Sequence, residues 1–167
     1  ITTCSNESKE RIIEIVNETG LGIKRIRVYV FENRGRNVLP WLLIAKELNK
    51  YDVVGHFHTK KSNFADQWLG SSWVDELSES ALEPGNEILS VFNDNKNVGV
   101  IIPDMPFYFK YFHTNPPFEG SSGKNINNCL LLWKRMKNLR PLDFSDLAIP
   151  IMPYGFMFWY RPCALKP

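Results

Sequence analysis

The sequence predicts an α/β fold: a Rossmann-like, mostly parallel sheet with helices on its faces. Two observations predict it. Short apolar runs alternate with stretches of helical periodicity in the order strand, helix, strand, helix, strand, two helices, strand. The runs at 51–57 and 98–103 are nearly continuous in apolar residues, as strands covered on both faces are. Length and composition agree with a single α/β domain over 1–167, since 44% hydrophobic residues in 167 supply one sizeable core and exclude a disordered chain.

Each element has its own signal. Residues 1–3 read as the tail of a strand. Ser5 is a helix cap, Ile12, Ile13, Ile15 and Val16 keep helical spacing, and Gly20 is a stop. Residues 23–31, "IKRIRVYVF", alternate apolar and basic positions as a strand. The loop "ENRGRNVLP" leads to Pro40, suited to a first helical turn, and to the short amphipathic helix "WLLIAKELNK". Residues 51–57 form the next strand. Phe64, Trp68, Leu69, Trp73, Leu77 and Leu82 recur at helical spacing. Pro84 opens another helix through Ile88, Leu89, Val91 and Phe92, residues 93–97 turn, and "VGVIIP" is a buried strand. Residues 104–124 read as irregular, and a loop that long inside a domain is usually functional. "NINNCLLLWKRMKNL" is a helix over 125–139, and "IMPYGFMFWYRPCALKP" closes the chain as a strand in which Met157 and Phe158 fill the core.

Charge and cysteine content narrow the classes. A net charge of +2 gives no global pull on nucleic acid, so any anion site is local. Three widely spaced cysteines, Cys4, Cys129 and Cys163, form neither a disulfide framework nor a zinc pattern and suit a reducing, cytoplasmic compartment. No run reaches the ~18 apolar residues of a membrane span. There is no signal peptide and no initiator Met, so a fragment of a longer protein is expected.

The chemistry concentrates where strands stop. Ligands of open α/β sheets bind beyond the carboxyl ends of the strands. Three such ends are polar: residues 32–37, 58–62 and 103–104. If the strands are neighbours, Asn33, Arg34, Gly35, Arg36, Asn37, His58, Thr59, Lys60, Lys61 and Ser62 meet near Asp104. Guanidinium forks and ammonium charges suit a phosphate or diphosphate, and Gly35 allows close backbone approach. Solvated surface cations are the plain alternative. Phosphate loops of the GxxxxGK[ST] and GxGxxG types are absent, as are a GxSxG elbow and a cysteine beside a base. His56 and His58 point to one face of a strand, but no third metal ligand is near and Lys60 and Lys61 repel a cation. The aromatics look core-directed, which counts against an RNA face.

"NRGRNVLP", "YDVVGHFHTKKS", Trp68, "VGVIIP" and "YGFMFWYRPCAL" occur together in this order. In this the chain resembles the rhamnan synthesis F family, glycosyltransferase-like proteins of bacterial cell-wall and lipopolysaccharide assembly, whose wording is NRGRD, YDYV…HTKKS and a late GxMFWxRPxAL. The likeness runs from about residue 1 to 165. Asn37 departs from it, standing where the family usually has Asp. The resemblance implies a GT-A-type glycosyltransferase fold and transfer of a sugar, rhamnose, from a nucleoside diphosphate. It implies dTDP-rhamnose as donor, and a glycan or lipid-linked glycan as acceptor at the inner face of the cell membrane. GT-A enzymes usually hold a divalent metal on Asp-x-Asp at a strand end. Here that place reads His58-Thr59-Lys60, so the cations are expected to replace the metal and no cofactor is firmly implied.

Inverting transfer needs a base, and topology favours Asp104, then Glu119, then Asp75. Tyr154, Gly155, Trp159 and Arg161 are candidates for the sugar pocket, Gly155 leaving room for a ring. The aromatic stretch 105–113 reads as a lid or a membrane-facing patch. The absent Asp-x-Asp and Asn37 equally suit a non-catalytic carbohydrate- or nucleotide-binding module, and a generic phosphate-binding protein is a third reading.

Overall fold

In a computed structural model of the chain the described residues are 1–20, 25–35, 37–59, 67–107, 121–135 and 153–165. They divide into two compact units, Ile1–Lys50 and Tyr51–Pro167.

The first unit opens with a β-α-β crossover. Strand β1 (Thr2–Thr3) pairs in parallel with β2 (Tyr29–Val30), Thr2 facing Tyr29 and Thr3 facing Val30. Helix α1 (Asn6–Thr19) links them, as a parallel pair requires a long connection. Ser5 Oγ accepts from Ser8 N at 3.1 Å, and Gly20 ends the helix in the left-handed region at φ 57°. The predicted strand 23–31 contracts to two ladder residues; 25–28 lie outside the ladder and 21–24 outside the described residues. Pro40 falls in the first turn of α2 (Val38–Leu43), which breaks at Ile44 before α3 (Ala45–Leu48). Glu47 lies 2.9 Å from Lys50 Nζ and 2.7 Å from Arg27 Nη1. Lys50 first, and Arg27 second, hold its carboxyl below the usual range. None of this unit's described residues is fully buried.

The second unit holds the core. Its sheet has the order β3-β5-β4, from β3 (Val54–His56), β4 (Val100–Ile101) and β5 (Phe158–Tyr160). Both ladders are antiparallel, where alternating strands and helices predict parallel pairing. Periodicity reveals that a segment is a strand but carries no mark of its direction. Val54 faces Tyr160 and His56 faces Phe158 on one side, and Ile101 faces Trp159 on the other. β3 and β4 therefore run in the same direction, with β5, the latest of the three in sequence, between them.

Helices α4 (Gln67–Ala81), α5 (Gly85–Asp94) and α6 (Ser121–Arg135) belong to the same unit. α6 begins at Ser121, so 121–124 are helical and the predicted irregular stretch is shorter. Leu77 and Ala81 of α4, Ile88 and Phe92 of α5, and Met157, Phe158 and Tyr160 are buried, each large apolar side chain contributing about 1.5–3 kcal/mol. Trp159 sits on the opposite face of β5 from Phe158 and Tyr160. Its ring meets Phe57 edge-on at 5.4 Å, and its Nε1 donates to the Ala81 carbonyl at 2.7 Å.

Candidate functional site

Because β3 and β4 are co-directed, their carboxyl ends emerge on one edge of the sheet, on either side of the point where β5 begins. Two predicted segments touch there, His58 after β3 and Gly155 before β5, and Asp104 follows β4 at the same edge.

His56 of β3 and His58, two residues past its end, bind the turn that leads into β5. His56 Nδ1 lies 2.8 Å from the Phe156 carbonyl, and His58 Nε2 bonds the Gly155 carbonyl. A carbonyl only accepts, so the two imidazoles carry their hydrogens on opposite nitrogens. His58 Nδ1 is buried and, among the described residues, has no hydrogen-bond partner. The turn Tyr154–Phe156 needs such a clasp, since Gly155 and Phe156 both have positive φ, 62° and 56°. A Cβ on Gly155 would stand 2.7 Å from Leu77 Cδ1 and 3.9 Å from both His58 Nε2 and Trp73 Nε1. Gly155 thus gives room to protein side chains rather than to a sugar ring, contrary to its expected role.

Asp104 is exposed on a firmly held loop. Pro103 and Pro106 beside it are buried, and Met105 packs on the Leu77–Met157 cluster together with Phe57 and Trp73. Glu76 fixes the end of the loop: its Oε2 accepts from Phe107 N at 2.5 Å and its Oε1 from Ser72 Oγ at 3.4 Å. Between α4 and this loop runs a cleft of about 390 Å³ lined by Glu76, Glu79, Ser80, Asp104, Met105, Pro106 and Phe107. The described part of the strand-end edge is therefore acidic. The cations predicted beside it, Lys60 and Lys61, lie outside the described residues, as do Ser62, Arg36 and Glu119.

Other expected residues stand elsewhere. Asn33 and Arg34 are exposed on a loop of the first unit. Gly35, at φ 70°, leaves no space for a Cβ, which would come 2.3 Å from Leu39 Cβ, so the turn itself requires glycine. Asn37 flanks α2 without capping it, and its Nδ2 is buried and has no hydrogen-bond partner among the described residues. Trp68 lies in the first turn of α4, and Asp75 is exposed on that helix. Arg161 is at the opposite end of β5 from Gly155. Its Nε donates to the Val98 carbonyl at 3.0 Å, its Nη2 to the Phe92 carbonyl, and its guanidinium lies 5.1 Å above the Phe92 ring. It ties the end of α5 to the strand that follows, and it is not brought to His58 and Asp104.

Glu76 and Glu79 were not among the expected residues. Glu76 had a signal: Trp73, Glu76 and Leu77 stand at i, i+3 and i+4, so a carboxylate interrupts the apolar stripe of a helix and faces inward. Among the described residues no cluster of three His, Cys, Asp or Glu is arranged to hold a metal. No described helix is long and apolar enough to cross a membrane.

Comparison with known proteins adds the family. No solved structure matches the chain. "Uncharacterized protein WxcX" of Xanthomonas campestris pv. campestris strain B100 is 33% identical over 141 residues, covering 82% of this chain and 18% of that protein. Its counterpart in strain ATCC 33913 is 32% identical over the same length. The chain thus spans about 18% of the length of the curated relatives it matches. The family model described as Rhamnan synthesis protein F matches residues 1–167. With that match over its whole length, the chain belongs to the rhamnan synthesis protein F family, a family of polysaccharide biosynthesis.

Proposed function

We propose that this chain is a glycosyltransferase domain of GT-A type that moves a sugar, rhamnose, from a nucleoside diphosphate to a growing cell-surface glycan. One observation carries the reading: the ends of β3 and β4, with His58 and Asp104, share one sheet edge on either side of β5. Open α/β sheets take their ligands beyond strand carboxyl ends, and this edge holds two such ends, those of β3 and β4, beside the amino end of the antiparallel β5. The acceptor hydroxyl attacks the anomeric carbon, forming the new glycosidic bond as the bond to the diphosphate oxygen breaks. Asp104 takes the hydroxyl proton and the diphosphate departs as an anion. His58 holds the β3 end in register with the 154–156 turn, and the sequence that follows it, Thr59-Lys60-Lys61-Ser62, supplies hydroxyls and positive charge to the leaving group. No step is assigned to a metal.

The first test is ligand binding. dTDP at 100 times its Kd stabilises by about 2.7 kcal/mol, which in a chain of this size raises Tm by roughly 5–11 °C. No shift with dTDP or UDP refutes the nucleotide-sugar reading. Turnover then separates the roles: Asp104→Asn lowers it by about 10²–10⁴-fold, and EDTA leaves it unchanged. A near-normal rate removes Asp104 as base, and loss of activity in EDTA restored by Mn²⁺ removes the metal-free leaving-group idea. The absent Asp-x-Asp favours a second reading, a carbohydrate-binding module without turnover, which saccharide binding without nucleotide binding would select.

A further inference from the structure

The cleft beside Asp104 has a chemistry of its own. One wall is α4, which presents Glu79 alongside Glu76; the other is the 103–107 loop, with Asp104 followed by Met105, Pro106 and Phe107. Glu76 is committed to Ser72 and to the Phe107 amide. Asp104 and Glu79 are exposed and, among the described residues, neither is in an ion pair or hydrogen bond. Phe107 keeps 55% of its surface exposed although its backbone is fixed by Glu76. A volume of about 390 Å³ is within the range of small-ligand sites, ~300–1,000 Å³.

An amphipathic cleft of this kind discriminates. Two uncommitted carboxylates repel a phosphate or diphosphate, so the anionic end of a sugar donor does not belong here. The same carboxylates accept charge-assisted hydrogen bonds from hydroxyls. The Met105–Pro106–Phe107 wall offers apolar surface to C–H groups. A saccharide with hydroxyls on one side and a deoxygenated or C–H-rich face on the other meets both walls.

We infer that the cleft between α4 and the 103–107 loop is the acceptor-sugar subsite, taking a neutral saccharide whose hydroxyls meet Glu79 and Asp104 and whose apolar face meets Phe107, and rejecting anionic sugars. The inference rests on the glycosyltransferase reading, to which it adds the acceptor's position and charge class. Glu79 is its specificity-determining residue.

The test is an amide chemical-shift titration of the ¹⁵N-labelled 167-residue chain with methyl α-rhamnoside, glucuronate, glucosamine and dTDP in separate arms. Methyl α-rhamnoside is expected to shift the amides of Glu79, Ser80, Asp104, Met105 and Phe107, and glucuronate to leave them in place. Glu79→Lys is expected to weaken the rhamnoside about tenfold or more, the loss of one hydrogen bond to a charged group, and to admit glucuronate. Glu79 is exposed, so this variant should keep the wild-type Tm. If it does not, Glu79→Ala must show the same weakening. The inference is overturned if the rhamnoside shifts no cleft amide, or if glucuronate binds the wild type as well. It is also overturned if glucosamine binds tenfold tighter than the rhamnoside, or if Glu79 variants bind like wild type. The dTDP arm reports separately at His58 and Thr59: silence there with cleft shifts intact refutes nucleotide use, not the sugar subsite.

Discussion

Replacing Gly155 by alanine probes the join between the strand-end histidines and the helix beneath them. Two costs follow from the structure. At φ 62° a residue with a Cβ loses about 1–2 kcal/mol relative to its preferred conformations. The new methyl would also stand 2.7 Å from Cδ1 of Leu77, a side chain only 2% exposed and unable to swing into solvent. Overpacking at a core position adds roughly 1–3 kcal/mol. The total, about 2–5 kcal/mol, should lower Tm by roughly 4–20 °C in a chain of this size. Urea unfolding measures the free energy directly. The overlap can be isolated with a double-mutant cycle, because Leu77→Val removes the atom the methyl would strike. Gly155→Ala should therefore cost about 1–3 kcal/mol less on the Leu77→Val background, and the difference is the coupling energy. A loss below about 0.5 kcal/mol, the level of an ordinary surface change, would refute the assigned turn conformation. Equal losses on both backgrounds would refute the contact with Leu77.

Three further outcomes are expected. His58→Ala removes the bond to the Gly155 carbonyl and should cost about 1–3 kcal/mol in urea unfolding; an unchanged midpoint would show that the clasp is not formed. Arg161→Met breaks the bonds to the Val98 and Phe92 carbonyls and should destabilise by about 1–3 kcal/mol while leaving dTDP affinity, once the chain is folded, as in wild type; a selective loss of nucleotide binding would return Arg161 to the site. The Glu47 carboxyl, followed by NMR, should titrate below the ordinary carboxylate midpoint, with Lys50→Ala raising it more than Arg27→Ala. Its folded value is depressed, so its stabilising effect is present above the unfolded carboxylate pKa and fades as pH falls through the folded one; a midpoint at or above the ordinary value would contradict the geometry.

Much of the local structure was legible because it is written in short-range chemistry. Ser5 caps α1 with its hydroxyl, Gly20, which lacks a Cβ, ends it in the left-handed region, and Pro84 stands just ahead of α5. Met157 and Phe158 are in the core as their apolar run implies. The i, i+2 spacing of His56 and His58 placed both rings on one face, and they do reach consecutive carbonyls. What that spacing could not reveal was the partner, which lies about a hundred residues further on. Strand direction was hidden for the same reason: β5 has the composition of a buried strand whichever way it runs. Arg161 misled because a guanidinium satisfies backbone carbonyls as readily as phosphate oxygens when a helix end is within reach. Glu76 escaped notice because a carboxylate on a helix is ordinarily solvated, and only its place between Trp73 and Leu77 marks it as turned inward.

The central strand of the three-stranded sheet is also the last one synthesised. Until residues 158–160 leave the ribosome, β3 and β4 have no neighbour with which to form the ladders seen here, and each is an unpaired edge. The closing contacts, such as His56 with Phe156, span 100 residues of chain. Contacts so far apart in sequence form slowly and leave nascent edges open to association. Truncation just before Phe158 should therefore cost the whole sheet rather than its final strand, and translation stalled upstream of that point should yield a chaperone-bound species.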